Sequence, residues 1–173
     1  RREELQTVDE ALRAARTAMQ PDGANWVNAV KQARAAAALA PRYDSVHQVI
    51  NELRGRLNDE IERNRSTGNY PQALVCTDLA LELGRDDALT LARGQILAEQ
   101  SKRANAEYQE AQRALAVFDL ERAEEAHAAG LRANSQDMRF AALTERLRRA
   151  RELAPKLKQA LESCWTRLQQ RDF

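Results

Sequence analysis

The sequence predicts an all-α protein built as a stack of helical hairpins. Three observations carry that prediction. Charged residues make up 31% of the chain and aromatics only 5%, with 6 glycines and 4 prolines among 173 residues, and alanine is abundant. No window alternates with period two, whereas apolar residues recur at spacings of three and four, the mark of amphipathic helices. Finally, a bulky residue followed by small residues three and ten positions on appears three times: Trp26, Ala29, Ala36; Tyr70, Ala73, Ala80; and Leu120, Ala123, Gly130.

The elements follow in order. Leu5, Val8, Leu12, Ala15 and Met19 draw one stripe, and Pro21-Asp22-Gly23 ends that helix. Asn25 is placed to cap a second helix running from Trp26 to Ala40. Pro41 stops it, because proline disfavours helical geometry in the residue before it. Asp44 or Ser45 caps a third helix, striped by Val46, Ile50, Leu53, Leu57 and Ile61, that passes through Gly55 and fades at Ser66-Thr67-Gly68. Pro71 opens the fourth, since a first-turn proline loses no hydrogen bond, and Gly84 closes it. Its apolar residues, Leu74 to Leu83, spread over more than one face, so burial on more than one side is expected.

Asp86 and Asp87 open a long pattern, Leu89 to Ile96 and then Ala104 to Phe118, with a polar middle from Glu99 to Arg103. Unbroken, it would extend roughly 45 Å at 1.5 Å per residue. Gly94 and the polar middle leave a break open. Asp119 caps a helix carrying Leu120, Ala123, Ala126, His127, Gly130 and Leu131. Phe140, Leu143, Leu147 and Ala150 stripe the next. Pro155 either kinks it or begins another, with Leu157, Leu161, Cys164, Trp165 and Leu168. Seven or eight helices and no strand are expected. They form a single domain over residues 1–173, with hairpins at about 1–40, 43–84 and 87–134 and C-terminal helices over 136–171.

The small residues at fixed intervals have a packing reason: they let a neighbouring helix come close. Units of this kind cannot bury their faces alone and must stack. The pattern resembles the tetratricopeptide repeat, best at Gly68, Tyr70, Ala73, Ala80 and Leu81, well at Trp26, Ala29, Ala36 and Pro41, and less closely at Leu120, Ala123 and Gly130. The resemblance implies a right-handed solenoid of about three antiparallel hairpins plus a C-terminal helix. It also implies a protein or peptide partner held in a groove lined by the first helices. Two features depart from the family. The units recur at intervals of 44 and 50 residues (Trp26, Tyr70, Leu120), against the 34 of the tetratricopeptide repeat. The first-helix signature is also missing, with Ile61 and Asn64 where a small residue and an aromatic belong. The first helices are therefore overlong. Positions beside their stripes would line the groove: Asn58, Glu62 and Arg65, then Asn105, Gln109 and Gln112, then Glu145 and Arg148. Few aromatic anchors stand among them, so weak or selective binding is expected.

Chemistry of other kinds finds little purchase. His47 and His127 belong to no triad or metal clamp, and no phosphate-binding glycine loop or HExxH is present. Acidic runs such as Asp59-Glu60-x-Glu62 interleave with arginine and read as solvated helix faces. Cys76 and Cys164 have no cysteine or histidine neighbour, which argues against metal; they read as two small core residues, and a disulfide between them stays open. Neither an enzyme nor a cofactor is expected.

The net charge of +1 gives no global attraction to nucleic acid. A local basic excess lies at Arg146, Arg148, Arg149 and Arg151, followed by Lys156 and Lys158. It reads first as a polar helix face and second as a patch, including Arg148 and Arg149, for an acidic protein or anionic lipid. Aromatics do not interleave with it, which disfavours nucleic acid. No apolar run approaches the roughly 20 residues of a membrane span. The start at Arg1-Arg2-Glu3-Glu4 reads as a domain cut from a longer protein or a mature product. The Ala, Arg and Leu bias points to a GC-rich bacterial gene, with cytoplasm and periplasm both open. The expected function is an interaction module or scaffold. The alternatives are a homo-oligomer through the long helices 43–66 and 87–118, or a regulatory segment attached to an enzyme such as a kinase.

Overall fold

Each of the apolar stripes becomes an α-helix. In a computed structural model, which describes residues 2–20 and 24–169, seven helices and no strand are present among the described residues. They are α1 (Arg2–Ala18), α2 (Trp26–Leu39), α3 (Asp44–Ser66), α4 (Tyr70–Glu82), α5 (Asp87–Ala116), α6 (Leu120–Ala133) and α7 (Arg139–Gln169). The Pro21-Asp22-Gly23 stop lies outside the described residues, as do the last positions of the C-terminal span.

The helix ends follow from local chemistry. Asn25 accepts a hydrogen bond from the Asn28 amide at 3.0 Å, and Asp119 accepts one from the Arg122 amide at 3.2 Å, each satisfying a first-turn donor that has no partner inside the helix. Asp86 accepts from the amides of Ala88 and Leu89. The cap expected at Asp44 or Ser45 is not there. α3 begins at Asp44 itself, its cap position is Tyr43, and no side chain bonds the first turn. α5 is one helix of 30 residues despite Gly94 and its polar middle. α7 runs through Pro155 as one helix of 31 residues.

Contacts divide the chain into two compact units, Arg1–Gln100 and Ser101–Phe173. In the first, α1 packs on α2 and α3 on α4, while α2 also touches α3 and α4. Its core joins Val8, Leu12 and Met19 of α1 to Val46, Val49, Leu53 and Leu57 of α3 and to Ile96 of α5, with Ala29, Ala36, Ala73 and Ala80 fully enclosed between them. Val49 is fully buried while Ile50, on the expected stripe, is half-buried. In the second unit, Ala104, Ala111 and Ala114 of α5, Ala123, Ala126 and Ala133 of α6, and Phe140, Leu143 and Leu147 of α7 form one core. Fully burying side chains of this size contributes about 1.5–3 kcal/mol each.

The repeat's small residues are all buried: Ala29, Ala36, Ala73, Ala80, Ala123 and Gly130. At Gly130 the reason is explicit. A Cβ there would sit 2.1 Å from Phe140 Cζ, so the Phe140 ring occupies the space a side chain would need. The turn before α4 and the turn before α6 also share one bonding pattern. Asn69 N–H donates to Asn64 C=O at 2.8 Å and Gly68 N–H to Arg65 C=O at 3.0 Å; Asp119 N–H donates to Ala114 C=O at 2.9 Å and Phe118 N–H to Leu115 C=O at 3.1 Å. The left-handed residue is Gly68 (φ 74°) in the first and Phe118 (φ 61°) in the second. Only glycine adopts that conformation without steric cost.

Candidate partner-binding surface

The polar residues expected to line a groove fall into separate groups, and several are engaged within the chain. On α3, Asn58 and Glu62 are exposed and Arg65 is half-buried. Arg65 makes a forked ion pair with Glu99 of α5, Nε to Oε2 at 2.9 Å and a terminal nitrogen to Oε1 at 2.5 Å, and lies 3.8 Å from Glu62. That hydrogen bond lowers the Glu99 carboxyl and raises the Arg65 guanidinium.

In the second unit, Asn105 accepts from Arg139 at 3.0 Å, and the Arg139 guanidinium lies 5.0 Å from the centre of the Tyr108 ring. Gln112 donates to the Tyr108 hydroxyl at 2.8 Å, while Gln109 is exposed. Hydrogen bonds from Arg148 and then Arg149 hold the Glu145 carboxyl down to about 2. Arg148 also bonds Glu152. The basic run is therefore largely neutralised within the chain: Arg148, Arg149 and Arg151 all have carboxylate partners, that of Arg151 being Glu124 of α6. Arg146, Lys156 and Lys158 make no ion pair among the described residues.

His127 has a structural setting. Its Nε2 lies 2.8 Å from the Thr144 hydroxyl and 3.2 Å from the Phe140 carbonyl. The Thr144 O–H already donates to that carbonyl at 2.8 Å, so Nε2–H is the donor to both oxygens. Cys76 is buried, its thiol pushed up by burial, and Cys164 is exposed; both are free thiols. Among the described residues no group of three or more His, Cys, Asp or Glu could hold a metal ion, and no helix is long and apolar enough to cross a membrane.

The surface that stands out is apolar, and it lies on α7. Phe140, Leu143 and Leu147 alternate at steps of three and four and are buried. The same steps continue through Ala150, Ala154, Leu157, Leu161, Cys164 and Leu168 along a single helix, so they stay on one stripe. Beyond Ala154 no described residue of the unit covers it. Leu161 is 70% exposed and Trp165 65%, against 1% for Leu143, and Leu153, Leu157 and Leu168 are also open. At the point where cover ends, a pocket of about 580 Å³ opens between α6 and α7. It is lined by His127, Thr144, Leu147 and Arg151 among others.

Sequence reading found this stripe and missed its meaning. Periodicity marks which face is apolar and carries no record of whether another helix lies against it. The available signal was the length of the apolar pattern, which runs on past Pro155 to Leu168. Comparison with protein-family models, with curated proteins and with solved structures finds no match to this chain.

Proposed function

We propose that this chain is a protein-interaction module, a short stack of tetratricopeptide-like antiparallel hairpins serving a larger protein or assembly, with no catalytic role of its own. The observation that carries the reading is the contrast on α7: one continuous apolar stripe, buried to Leu147 and open from Leu157 to Leu168. Exposed apolar surface of this extent on one helix face marks an interaction site. The repeat reading has separate support. Small residues three and ten positions after Trp26, Tyr70 and Leu120 are all enclosed, and the turns before α4 and α6 carry matching hydrogen bonds.

Self-association through α3 and α5 has less behind it. The outward positions of α3, such as Gln48, Asn51, Glu52, Asp59 and Glu62, are polar, and α5 exposes only Leu91 and Leu97 as large apolar residues before its polar middle. A photo-crosslinking residue placed in turn at Glu62, Gln109 and Leu161 of the full-length protein, in its own cells, tests the module reading. Discrete adducts from at least one position are expected. Adducts from none of the three would reject it.

A further inference from the structure

The covered half of α7 shows what kind of surface the open half is made for. Number the stripe by its seam residues, Phe140, Leu147, Ala154, Leu161 and Leu168, with Leu143, Ala150, Leu157 and Cys164 between them. The flanking positions are those one residue before and four residues after each of the first set. These positions set partner choice when two helices pair along such a seam. Among the described residues, every charged residue occupying them is basic: Arg139, Arg146, Arg151, Lys158 and Arg167; Asp172, outside the described residues, is the one acidic residue in that register.

In the covered half, Arg139 and Arg151 meet complementary groups, while Arg146 makes no ion pair among the described residues. Arg139 pairs with Asp137 just before α7 and also reaches Asn105 and the Tyr108 ring of α5, and Arg151 pairs with Glu124 of α6. The helix that lies along this part of the seam, α6, is small-faced: Ala123, Ala126 and Gly130 face the core, and its Glu124 is the acid that meets Arg151. In the open half, Lys158 and Arg167 stand in the same flanking register and make no ion pair among the described residues.

We infer that the open half of α7, residues 153–168, docks an acidic amphipathic helix from a protein partner, one that repeats the face α6 presents to residues 140–151. Leu157, Leu161 and Leu168 supply the apolar seam, Trp165 a large anchor beside it, and Lys158 and Arg167 the flanking charges. A second copy of this chain is a poorer fit, since the charged flanking positions of its described residues 153–168 are the same two cations, Lys158 and Arg167. An anionic lipid surface shares the charge sign, but the seam is the narrow one that helices use for each other, continuous with a stretch a helix already covers. This inference rests on the interaction-module reading and sharpens it.

The test uses the 173-residue chain and two synthetic helical peptides about four heptads long. Both carry an Ala/Leu seam; one has Glu at every flanking position, the other Lys. By titration calorimetry, the Glu peptide should bind the wild-type chain at least ten-fold more tightly than the Lys peptide. Leu157→Glu/Leu161→Glu should weaken Glu-peptide binding at least ten-fold. Lys158→Glu/Arg167→Glu should reverse the peptide preference. The substituted side chains are exposed, and circular dichroism checks that each variant stays folded. Equal binding of the two peptides would overturn the inference. So would concentration-dependent dimerisation abolished by Leu157→Glu/Leu161→Glu, or binding to phosphatidylserine vesicles without binding to the Glu peptide. If the Glu peptide fails while crosslinks form at Glu62 or Gln109, the docking assignment falls and the module reading stands.

Discussion

The two halves of α7 are written in the same pattern and meet different fates. Residues 140–147 place an aromatic and two leucines against α5 and α6, while residues 153–168 place leucines and a tryptophan in open solvent. The difference lies in the neighbours. Over the first half, α6 offers alanines and Gly130, which let Phe140 sit directly on the helix backbone. Over the second half no described residue does the same, and Pro155 weakens the helix further by removing one backbone donor. The first half therefore helps hold the unit together, and the second leaves its apolar side chains exposed.

Phe140→Ala breaks the comparison most severely. It should cost about 3–5 kcal/mol of unfolding free energy by urea titration, because the ring fills the space above Gly130. Gly130→Val attacks the same contact from the other side and should cost about 3 kcal/mol, with part of the loss recovered by adding Phe140→Leu. On the open half, Leu157→Ala with Leu161→Ala should change stability by less than about 0.5 kcal/mol, as expected for exposed positions. A large loss there would mean that the stripe is covered within the chain.

Much of this was legible in the sequence, and the exceptions are instructive. The enclosed alanines and the caps Asn25 and Asp119 were readable because close helix packing and first-turn donors each demand particular residue types at fixed offsets. The turn at Phe118 was not. An apolar residue closing a long stripe reads as its last member, yet Phe118 is exposed and stands where Gly68 stands in the preceding turn. The ion pair of Arg65 with Glu99 was hidden for another reason: its partners lie on different helices, and no local spacing joins them. Residues chosen for a groove because they flank a stripe are the same residues that can pair across helices, so Arg65, Asn105 and Arg148 are already engaged.

The two turns give a smaller test. Phe118→Gly should stabilise the chain by about 1 kcal/mol by relieving a left-handed conformation, and Gly68→Ala should destabilise it by a similar amount. Thermal melts of both variants against wild type check the opposite signs.

The smallest effect concerns charges on the outer face of α7, away from the seam. Arg148 and Arg149 hold the folded-state Glu145 carboxyl below its ordinary value, down to about 2. A depressed carboxyl stabilises the fold above its ordinary range and loses that contribution as pH falls toward its folded value. The melting-temperature difference between wild type and Glu145→Gln should thus be greatest near neutral pH and vanish near pH 2. A difference independent of pH would show that the pairing contributes nothing.

Hydrogen exchange along α7 tests the central claim most directly, since it compares the two halves in one experiment. In the chain alone, amides of residues 140–147 should exchange only through unfolding of the unit, and those of 157–168 should exchange orders of magnitude faster through local opening. Adding the Glu-flanked peptide should slow the second set and leave the first unchanged. Equal protection of both halves in the chain alone, or an open half indifferent to the peptide, would contradict the account.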